Sequence, residues 1–296
     1  MDAVAKPDVF PASLPDLQDW KFLFTSIEEQ PFEHTGSIEY TYMDITEQKS
    51  IEEVFSFFKP DVVLNTAAMT HVDQCESERD KCWKTNVQAV AGLADACKLY
   101  KSRLIHISTD FIFDGENGPY REEDKANPLC VYSSSKLASE EVLKKSAIPW
   151  CILRTCILYG VGKKLVRKNI VLWIKDQLGN NQEINIVDDH YRSPTLAEDL
   201  ASGCLLAVVK NARGVYNVSG KDLMSIYEMA LRLAAFYKLD PSLIHPISAA
   251  TLNQPAKRPA KTGFILDKAI NELNYRPHSF EEALEIITKQ LSAQSD

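Results

Sequence analysis

Residues 103–108 read RLIHIS, an apolar run that ends on the polar side chains of Ser108, Thr109 and Asp110. The length of this run predicts a buried strand. In parallel α/β sheets, ligands bind at the carboxyl ends of the strands. The polar end of the run therefore indicates the edge of a predicted sheet at which a site is to be expected.

Two similar apolar runs flank this one, DVVLN at 61–65 and WCILR at 150–154. Helical patterns separate the three runs, over about 80–100 and 132–145. Strands that alternate with helices predict a parallel sheet with helices on both faces, which is an α/β fold.

Weaker patterns extend this alternation in both directions along the chain. A strand is predicted at 21–25 and a helix at 48–58, which Pro60 ends. In the second half we predict helices at 169–178, 196–210, 225–237 and 280–290, and strands at 183–187 and 214–218.

The composition excludes several classes of protein. The formal net charge of -8 argues against nucleic-acid binding through a broad basic surface. The seven Cys and six His show no metal-ligand spacing, so no metal site is expected. Without a long apolar run or a secretory signal, and with Cys suited to reducing conditions, the chain is expected in the cytoplasm, away from membranes.

The densest basic stretch contains Lys163, Lys164, Arg167 and Lys168. It is interpreted either as a solvated loop or as a contact to an anionic ligand such as a diphosphate.

Tyr132 and Lys136 open the predicted helix that follows the strand at 103–108. Their four-residue spacing places them on one helical face. An ammonium near a phenol lowers the pKa of the phenol, which lets a Tyr deliver a proton near neutral pH. The spacing alone is common on helix surfaces, and the hydroxyl of Thr109 at the preceding strand end is what makes the motif informative.

These segments resemble the extended short-chain dehydrogenase/reductase family, in its dTDP-4-dehydrorhamnose reductase-like subgroup of sugar-nucleotide reductases. The resemblance runs from about Lys21 to the C-terminus, and STDFIFDG is its most specific segment. The segments that carry it are MDIT (43–46), DVVLNTAA (61–68), STDFIFDG (108–115), YSSSK (132–136), LRTCILYG (153–160), RSPT (192–195) and AKRP (256–259).

The resemblance implies a Rossmann-like, doubly wound parallel sheet with a smaller C-terminal α/β substrate domain. We predict an NAD(P)-binding domain over 1–160 and a substrate-binding portion over 161–296, with the strand near 214–218 returning to the main sheet. The implied reaction is the reduction, by NADPH or NADH, of a 4-keto group on a nucleotide-linked sugar. A homodimer is compatible with the family.

The resemblance also implies roles for individual residues. Thr109 resembles the hydroxyl that orients the carbonyl, Tyr132 the proton donor, and Lys136 the residue that tunes Tyr132 and binds the nicotinamide ribose. The residues similar to the family's cofactor site are Asp44, Ile45, Asn65, Ala67, Ala68 and Asn86, with Tyr132 and Lys136. The residues assigned to the substrate are Ser108, Asp110 and Arg192.

Arg192 has a second interpretation, as one member of a surface ion pair with Asp188 or Asp189. Ser108 has one too, as a strand-end hydroxyl that bonds its own backbone.

The glycine-rich loop that cradles the cofactor diphosphate in this family is missing from the sequence. The first glycine is Gly36, and three prolines stand before Lys21. The expected sheet therefore lacks its first strand, either because the N-terminus is shortened or mis-assigned, or because a natural relative has lost dinucleotide binding. Ile157 stands where rhamnose-pathway reductases often carry an aromatic residue, which leaves the sugar open.

Two other functions remain open. The regulatory subunit of methionine adenosyltransferase resembles the same reductases, so a regulatory or binding subunit is the main alternative. A sugar-nucleotide epimerase or dehydratase is the other. Asp110 is followed by Phe111 rather than by the acidic residue typical of dehydratases.

The missing glycine loop predicts weak cofactor binding by this chain. Isothermal titration with NADPH is expected to show no binding in the micromolar range, because no backbone nest neutralises the diphosphate. Micromolar or tighter binding would contradict this prediction.

Overall fold

A computed structural model describes residues 19–28, 39–162 and 168–295 of the chain. Three of the four residues in the basic stretch, Lys163, Lys164 and Arg167, lie outside these ranges. The described residues form an α/β fold with a parallel central sheet, which confirms the predicted fold class.

The central sheet has four parallel strands in the order β10-β5-β4-β3. Its members are β3 (Val62–Asn65), β4 (Arg103–Thr109), β5 (Trp150–Thr155) and β10 (Gly214–Asn217). β4 lies in the interior of the sheet, with six of its seven residues buried. Every strand of this sheet was predicted from apolar runs, and the strand at 214–217 pairs with β5 although it belongs to the second half of the chain.

Two strands at the start of the chain form a separate parallel pair, β1 (Leu23–Ser26) with β2 (Glu39–Tyr42). Among the described residues, no strand joins this pair to β3. The break falls where the sequence predicts a missing first strand.

Helices cover both faces of the central sheet. In the first half they are α1 (Gln48–Phe58), α2 (Val72–Ser77), α3 (Arg79–Trp83), α4 (Ala89–Tyr100) and α5 (Val131–Lys145). In the second half α7 (Ala197–Val209) packs on the same sheet, whereas α6 (Ile170–Gly179), α8 (Ile226–Tyr237) and α9 (Phe280–Ser295) form a separate apolar cluster with the short strands of that half. The apolar faces of the helices pack on a sheet or on neighbouring helices and exclude water, which is the main stabilising contribution of such layers.

The second half adds short strands that the sequence patterns did not predict, apart from the strand expected at 183–187. They are β6 (Leu158–Tyr159), β7 (Ile184–Val187), β8 (Tyr191–Arg192), β9 (Thr195–Leu196), β11 (Met224–Ser225) and β12 (Ile244–Ile247). Two-residue strands leave no detectable period in a sequence. β12 contains Pro246, which weakens the strand signal although the strand pairs with β7.

The prediction of a single helix over 80–100 is wrong in one respect. The chain forms α3, then a π-helical segment over Lys84–Gln88, and then α4. A π turn lets the Asn86 side chain leave the helix axis and bond the backbone of Met69. Single-turn π segments occur mostly at functional sites, and their sequence signature is weak.

Two aromatic side chains differ in burial. Trp83 on α3 is 41% exposed. Tyr120 is buried, and its ring stacks on Phe113 with 4.1 Å between the centroids, although the charged residues that follow it are mostly exposed.

A buried ion pair joins helix α5 to the sheet. Arg154 on β5 donates to both carboxylate oxygens of Glu140 on α5, at 3.0 and 2.8 Å. Glu140 also accepts from the hydroxyl of Ser108 on β4, at 2.7 Å. Arg154 is therefore a buried, paired cation, and the pair holds α5 against the ends of two strands.

Replacing Arg154 by Met is expected to destabilise the fold by about 3 kcal/mol, because the buried carboxylate of Glu140 loses its closest counter-charge and keeps only Lys144 at 3.5 Å. Urea denaturation measures the change. The double variant Arg154→Met/Glu140→Leu serves as the control and should recover most of the loss. Equal stability of the single and double variants would show that the charge pairing is unimportant.

Candidate functional site

The carboxyl end of β4 and the first turns of α5 place three of the predicted residues side by side. Thr109 is the last residue of β4, and Tyr132 and Lys136 lie one turn apart on α5. Cys130 precedes the helix, and its backbone N–H donates to the Ser133 hydroxyl at 3.0 Å. This interaction fixes the first turn of the helix and with it the direction of the Tyr132 side chain.

The Tyr132 phenol lies in an apolar cluster and is 8% exposed. Its ring meets that of Phe111 edge-on, with 6.0 Å between the centroids. Burial raises the pKa of Tyr132, and the neighbouring Thr109 side chain partly opposes this rise. The sequence predicted a pKa lowered by Lys136. In the structure, burial has the larger effect, so the phenol stays protonated at neutral pH.

Lys136 is buried to the same degree, with 3% of its surface exposed. Its ammonium donates to the carbonyl oxygen of Ile107 on β4 at 2.7 Å and lies 3.1 Å from Nε2 of His106. Burial lowers the pKa of Lys136 to about 8, while the charge of Glu140 one turn along the helix opposes this shift. Lys136 is thus an ammonium that can lose its proton near neutral pH.

The loop after β3 carries the second group of predicted residues. Asn65 is buried, and its Oδ1 accepts from the backbone N–H of Ala67 at 3.1 Å. Ala67 is exposed and Ala68 is half-buried, so a ligand can approach this backbone. The small side chains predicted to allow a close approach lie at the open carboxyl end of β3.

Asn86 connects this loop to α5. Its side chain accepts from the backbone N–H of Met69 at 2.8 Å and donates to the Ser135 hydroxyl at 2.9 Å. Asn86 is 1% exposed. Asn86 therefore joins the loop to the helix, and its assignment to the cofactor site stays a prediction.

Asp44 and Ile45 follow β2 on the other side of the break in the sheet. The Oδ1 of Asp44 accepts from the backbone N–H of Thr46 at 2.8 Å, and the side chain is half-buried. Ile45 is 7% exposed and packs in the core with Met43. Of the two, Asp44 alone presents polar atoms at the edge of the site.

Ser108, Asp110 and Arg192, the residues predicted to bind substrate, are all buried. The Ser108 hydroxyl donates to Glu140, as described above. Asp110 accepts from the Thr109 hydroxyl at 3.1 Å and lies 3.6 Å from Nε of Arg192. The structure therefore engages all three in internal contacts. Their assignment to the substrate stays a prediction and does not enter the function proposed below.

Arg192 holds the segment around Pro259 in place. Its guanidinium donates to the carbonyl oxygens of Pro259 at 2.5 Å and Ala260 at 3.1 Å. The alternative interpretation as a surface pair is wrong, because Arg192 is 2% exposed and its carboxylate partner is Asp110.

The AKRP segment connects this site to a groove in the second half. Ala256 packs in the cluster that contains Tyr132, and its N–H donates to Asp73 at 3.1 Å. Arg258 pairs with the same carboxylate at 2.8 Å. The groove has a volume of about 830 Å³, and its lining includes Leu158, Lys168, Trp173, His190 and Arg258.

In the described parts of the chain, no group of three or more His, Cys, Asp or Glu residues is arranged to hold a metal ion. Within the same parts, no helix combines the length and the apolar character needed to cross a membrane.

Comparisons with known proteins agree on one family. The model of the RmlD substrate binding domain matches residues 23–293. The dTDP-4-dehydrorhamnose reductase of Aggregatibacter actinomycetemcomitans is 31% identical over 265 residues, covering 85% of this chain and 88% of that protein. The methionine adenosyltransferase 2 subunit beta of Bos taurus is 29% identical over 214 residues, covering 71% of this chain and 64% of that protein.

One solved structure extends the similarity to the fold. The dTDP-4-dehydrorhamnose reductase of Bacillus anthracis in complex with NADP is 25% identical and has a TM-score of 0.80. The match covers 91% of this chain and 99% of that chain.

Arg192→Met is expected to loosen the segment 256–262, because the carbonyls of Pro259 and Ala260 lose their donors. Hydrogen exchange at the N–H groups of Lys261 and Thr262 should accelerate by about tenfold. Arg121→Met is the control, because its exposed ion pair with Asp267 contributes little. Unchanged exchange in Arg192→Met would contradict the anchoring role.

Proposed function

This chain belongs to the RmlD substrate binding domain family of extended short-chain dehydrogenases/reductases, and from that premise we propose that it reduces a 4-keto group on a nucleotide-linked sugar. The hydride donor is NADPH or NADH. The observation that carries the proposal is the convergence of Thr109, Tyr132 and Lys136 at the carboxyl end of β4. Ligands of parallel sheets bind at this edge.

The three side chains suit the protonation half of the reaction. A carbonyl oxygen gains a proton as its carbon accepts a hydride, and a positioned acid accelerates this step. The phenol of Tyr132 is the donor, because burial keeps it protonated at neutral pH. The Thr109 hydroxyl lies beside the phenol and orients the same oxygen.

Lys136 acts in the same site as a buried ammonium whose Nζ is held against β4. An ammonium has three N–H groups. The carbonyl of Ile107 occupies one, which leaves donors for a ribose hydroxyl and for the electrostatic stabilisation of a developing phenolate. The charge of Glu140 favours the charged form of Lys136 and supports this role.

The residues fit the nicotinamide ribose and the adenosine of a nicotinamide dinucleotide, but they do not fit its diphosphate. Lys136 and Tyr132 would hold the nicotinamide ribose, and the backbone at Ala67 and Ala68 would line the adenosine side, with Asp44 facing the adenine. When bound, the cofactor supplies the hydride. For the diphosphate no described residue provides a glycine-rich nest, since the sequence has no glycine before Gly36.

The groove of the second half supports a nucleotide-linked substrate. Lys168 and Arg258 line the groove and would exchange their present partners, Asp176 and Asp73, for a diphosphate, and the indole of Trp173 presents an aromatic surface suited to a base. Arg258 lies two residues from Ala256, which belongs to the same apolar cluster as Tyr132. We propose that residues 161–296 supply most of this substrate-binding portion and that residues 1–160 hold the cofactor.

A regulatory subunit is the second candidate function. The similarity to methionine adenosyltransferase 2 subunit beta favours it. In that function the chain would bind a partner enzyme, and the Tyr132 phenol would carry no chemistry.

We place the protein in the cytoplasm, because all seven cysteines are buried free thiols, as reducing compartments keep them. A homodimer is the proposed assembly by analogy with the family.

Tyr132→Phe tests the proposed function. The variant is expected to lower kcat for dTDP-4-dehydrorhamnose reduction by at least about 100-fold, because the proton donor is lost while the ring still packs. NADPH absorbance measures turnover. Tyr237→Phe is the control, because that hydroxyl bonds Thr288 in the helical layer of the second half.

The two candidate functions give different outcomes. Undiminished turnover in Tyr132→Phe would contradict the assigned proton donor. Absence of turnover in the unmodified chain with either cofactor, together with binding to a methionine adenosyltransferase catalytic subunit, would favour the regulatory function.

A further inference from the structure

His106 is a polar side chain inside the central sheet that neither the motif nor the family match singles out. It lies in the middle of β4 and is 1% exposed. Its ring fills the space between the loop after β3 and helix α5, the two elements that carry the proposed cofactor contacts.

Both ring nitrogens of His106 have close polar neighbours. Nε2 lies 3.1 Å from Nζ of Lys136 and 3.0 Å from the Ser139 hydroxyl, both on α5. Nδ1 lies 3.1 Å from Nδ2 of Asn65 on β3. The imidazole therefore bridges Lys136 to the residue that holds the backbone of Ala67.

The hydrogen-bond pattern determines which nitrogen carries the proton. Oδ1 of Asn65 accepts from the N–H of Ala67, so the amide group of Asn65 faces Nδ1 as a donor. Nδ1 is then the acceptor, and a neutral ring carries its proton on Nε2. That proton points at the Ser139 hydroxyl, whose own hydrogen is directed to the carbonyl of Lys136 at 2.6 Å.

The charges around the ring keep it neutral. Burial and the neighbouring Lys136 ammonium hold the pKa of His106 well below its usual range. The other titratable groups that act on Lys136 are Glu140 on α5 and Cys82 on α3. Because Nε2–H donates to Ser139, the ring packs against Nζ without hydrogen-bonding it, and a neutral imidazole adds no charge that would compete with the ammonium.

We propose that His106 is a positioning residue, which sets the place of Lys136 on α5 through the Nε2–H bond to Ser139, whose hydroxyl donates to the Lys136 carbonyl, and the conformation of the loop 65–68 through Nδ1 and Asn65. The inference rests on the proposed function. It states that the His106 ring sets the positions of both the ribose-binding Lys136 and the loop on the adenosine side. A misplacement of about 1 Å at such a group costs up to about 100-fold in rate.

Two conservative substitutions distinguish the contacts that Nε2 makes with α5 from the contact that Nδ1 makes with Asn65. His106→Asn keeps a polar atom near the place of Nδ1 and loses contact with Lys136. His106→Gln keeps a polar atom near the place of Nε2 and loses the contact with Asn65. Ile105→Val on the same strand is the control, because Ile105 is buried in the core away from Lys136.

The first measurement needs no substrate. The Nζ resonance of Lys136 in lysine-labelled protein, assigned by its loss in Lys136→Met, is titrated through the alkaline range by NMR. The unmodified chain should titrate with a pKa of about 8. In His106→Asn the pKa of Lys136 should rise, because water replaces the ring beside Nζ, whereas His106→Gln and Ile105→Val should leave it near 8.

The second measurement is steady-state reduction of dTDP-4-dehydrorhamnose with NADPH. His106→Asn should lower kcat by about tenfold and move the alkaline limb of the pH profile upward, with little change in cofactor KM. His106→Gln should keep kcat within about threefold and raise cofactor KM by about fivefold. Equal losses of kcat in both variants, without a split between kcat and KM, would reduce His106 to a packing role and overturn the inference.

Failure of the inference and failure of the proposed function are distinguishable. If the unmodified chain reduces no such sugar, the proposed function fails, while the Lys136 titration still decides whether His106 positions it. If His106→Asn leaves that titration unchanged, the positioning role is overturned whatever the activity.

Discussion

The candidate site depends on the burial of the Lys136 ammonium against strand β4. Removing an ammonium from water is costly unless other polar groups replace its hydration. Here the carbonyl of Ile107 accepts one N–H, and the charge of Glu140 lies one turn along the same helix. The remaining cost appears as a lowered pKa, which places the proton of Lys136 within reach of neutral pH.

The same strand end is held by two buried ion pairs. Arg154 with Glu140 attaches α5 to β5, and Arg192 with Asp110 attaches the segment around Pro259 to the residue after Thr109. Each cation also donates to backbone carbonyls, so that few of its N–H groups are left without partners. Well-satisfied buried pairs of this kind specify one arrangement of neighbouring elements more than they add stability. The hydroxyl, phenol and ammonium are consequently presented by a rigid frame.

The main elements of this frame could be predicted from local patterns. The apolar runs at 61–65, 103–108 and 150–154 each form a strand of the central sheet, because parallel strands buried on both faces need uninterrupted apolar sequence. Helix α1 occupies the predicted residues for a similar reason, since Ile51 and Phe55 recur at helical spacing and are both buried. The two-residue strands of the second half could not be predicted, because their pairing comes from tertiary contacts.

The site was predictable only in part. Tyr132 and Lys136 follow from helical spacing, and Thr109 from its place at a strand end. Their motif shows which side chains share a face, but not where each one points. The sequence expectation that Lys136 lowers the pKa of Tyr132 was therefore wrong, because Nζ is directed to β4 and burial of the phenol has the larger effect. His106 left no signal at all, since a single His in an apolar strand resembles any buried polar residue.

By itself, the sequence determined the fold class and the family, and it predicted Thr109, Tyr132 and Lys136 as the catalytic residues, because these inferences depend on apolar periodicity and on short motifs. Only the tertiary structure decided the partners of the buried polar groups. The sequence shows only that Ser108, Asp110 and Arg192 have polar side chains. The structure shows that these side chains are buried and hydrogen-bond Glu140, Thr109 and the carbonyl of Pro259, respectively. The physical reason is that a buried polar atom must find its partner in space, and that partner lies as far as 152 residues away along the chain, as Thr262 does from Asp110.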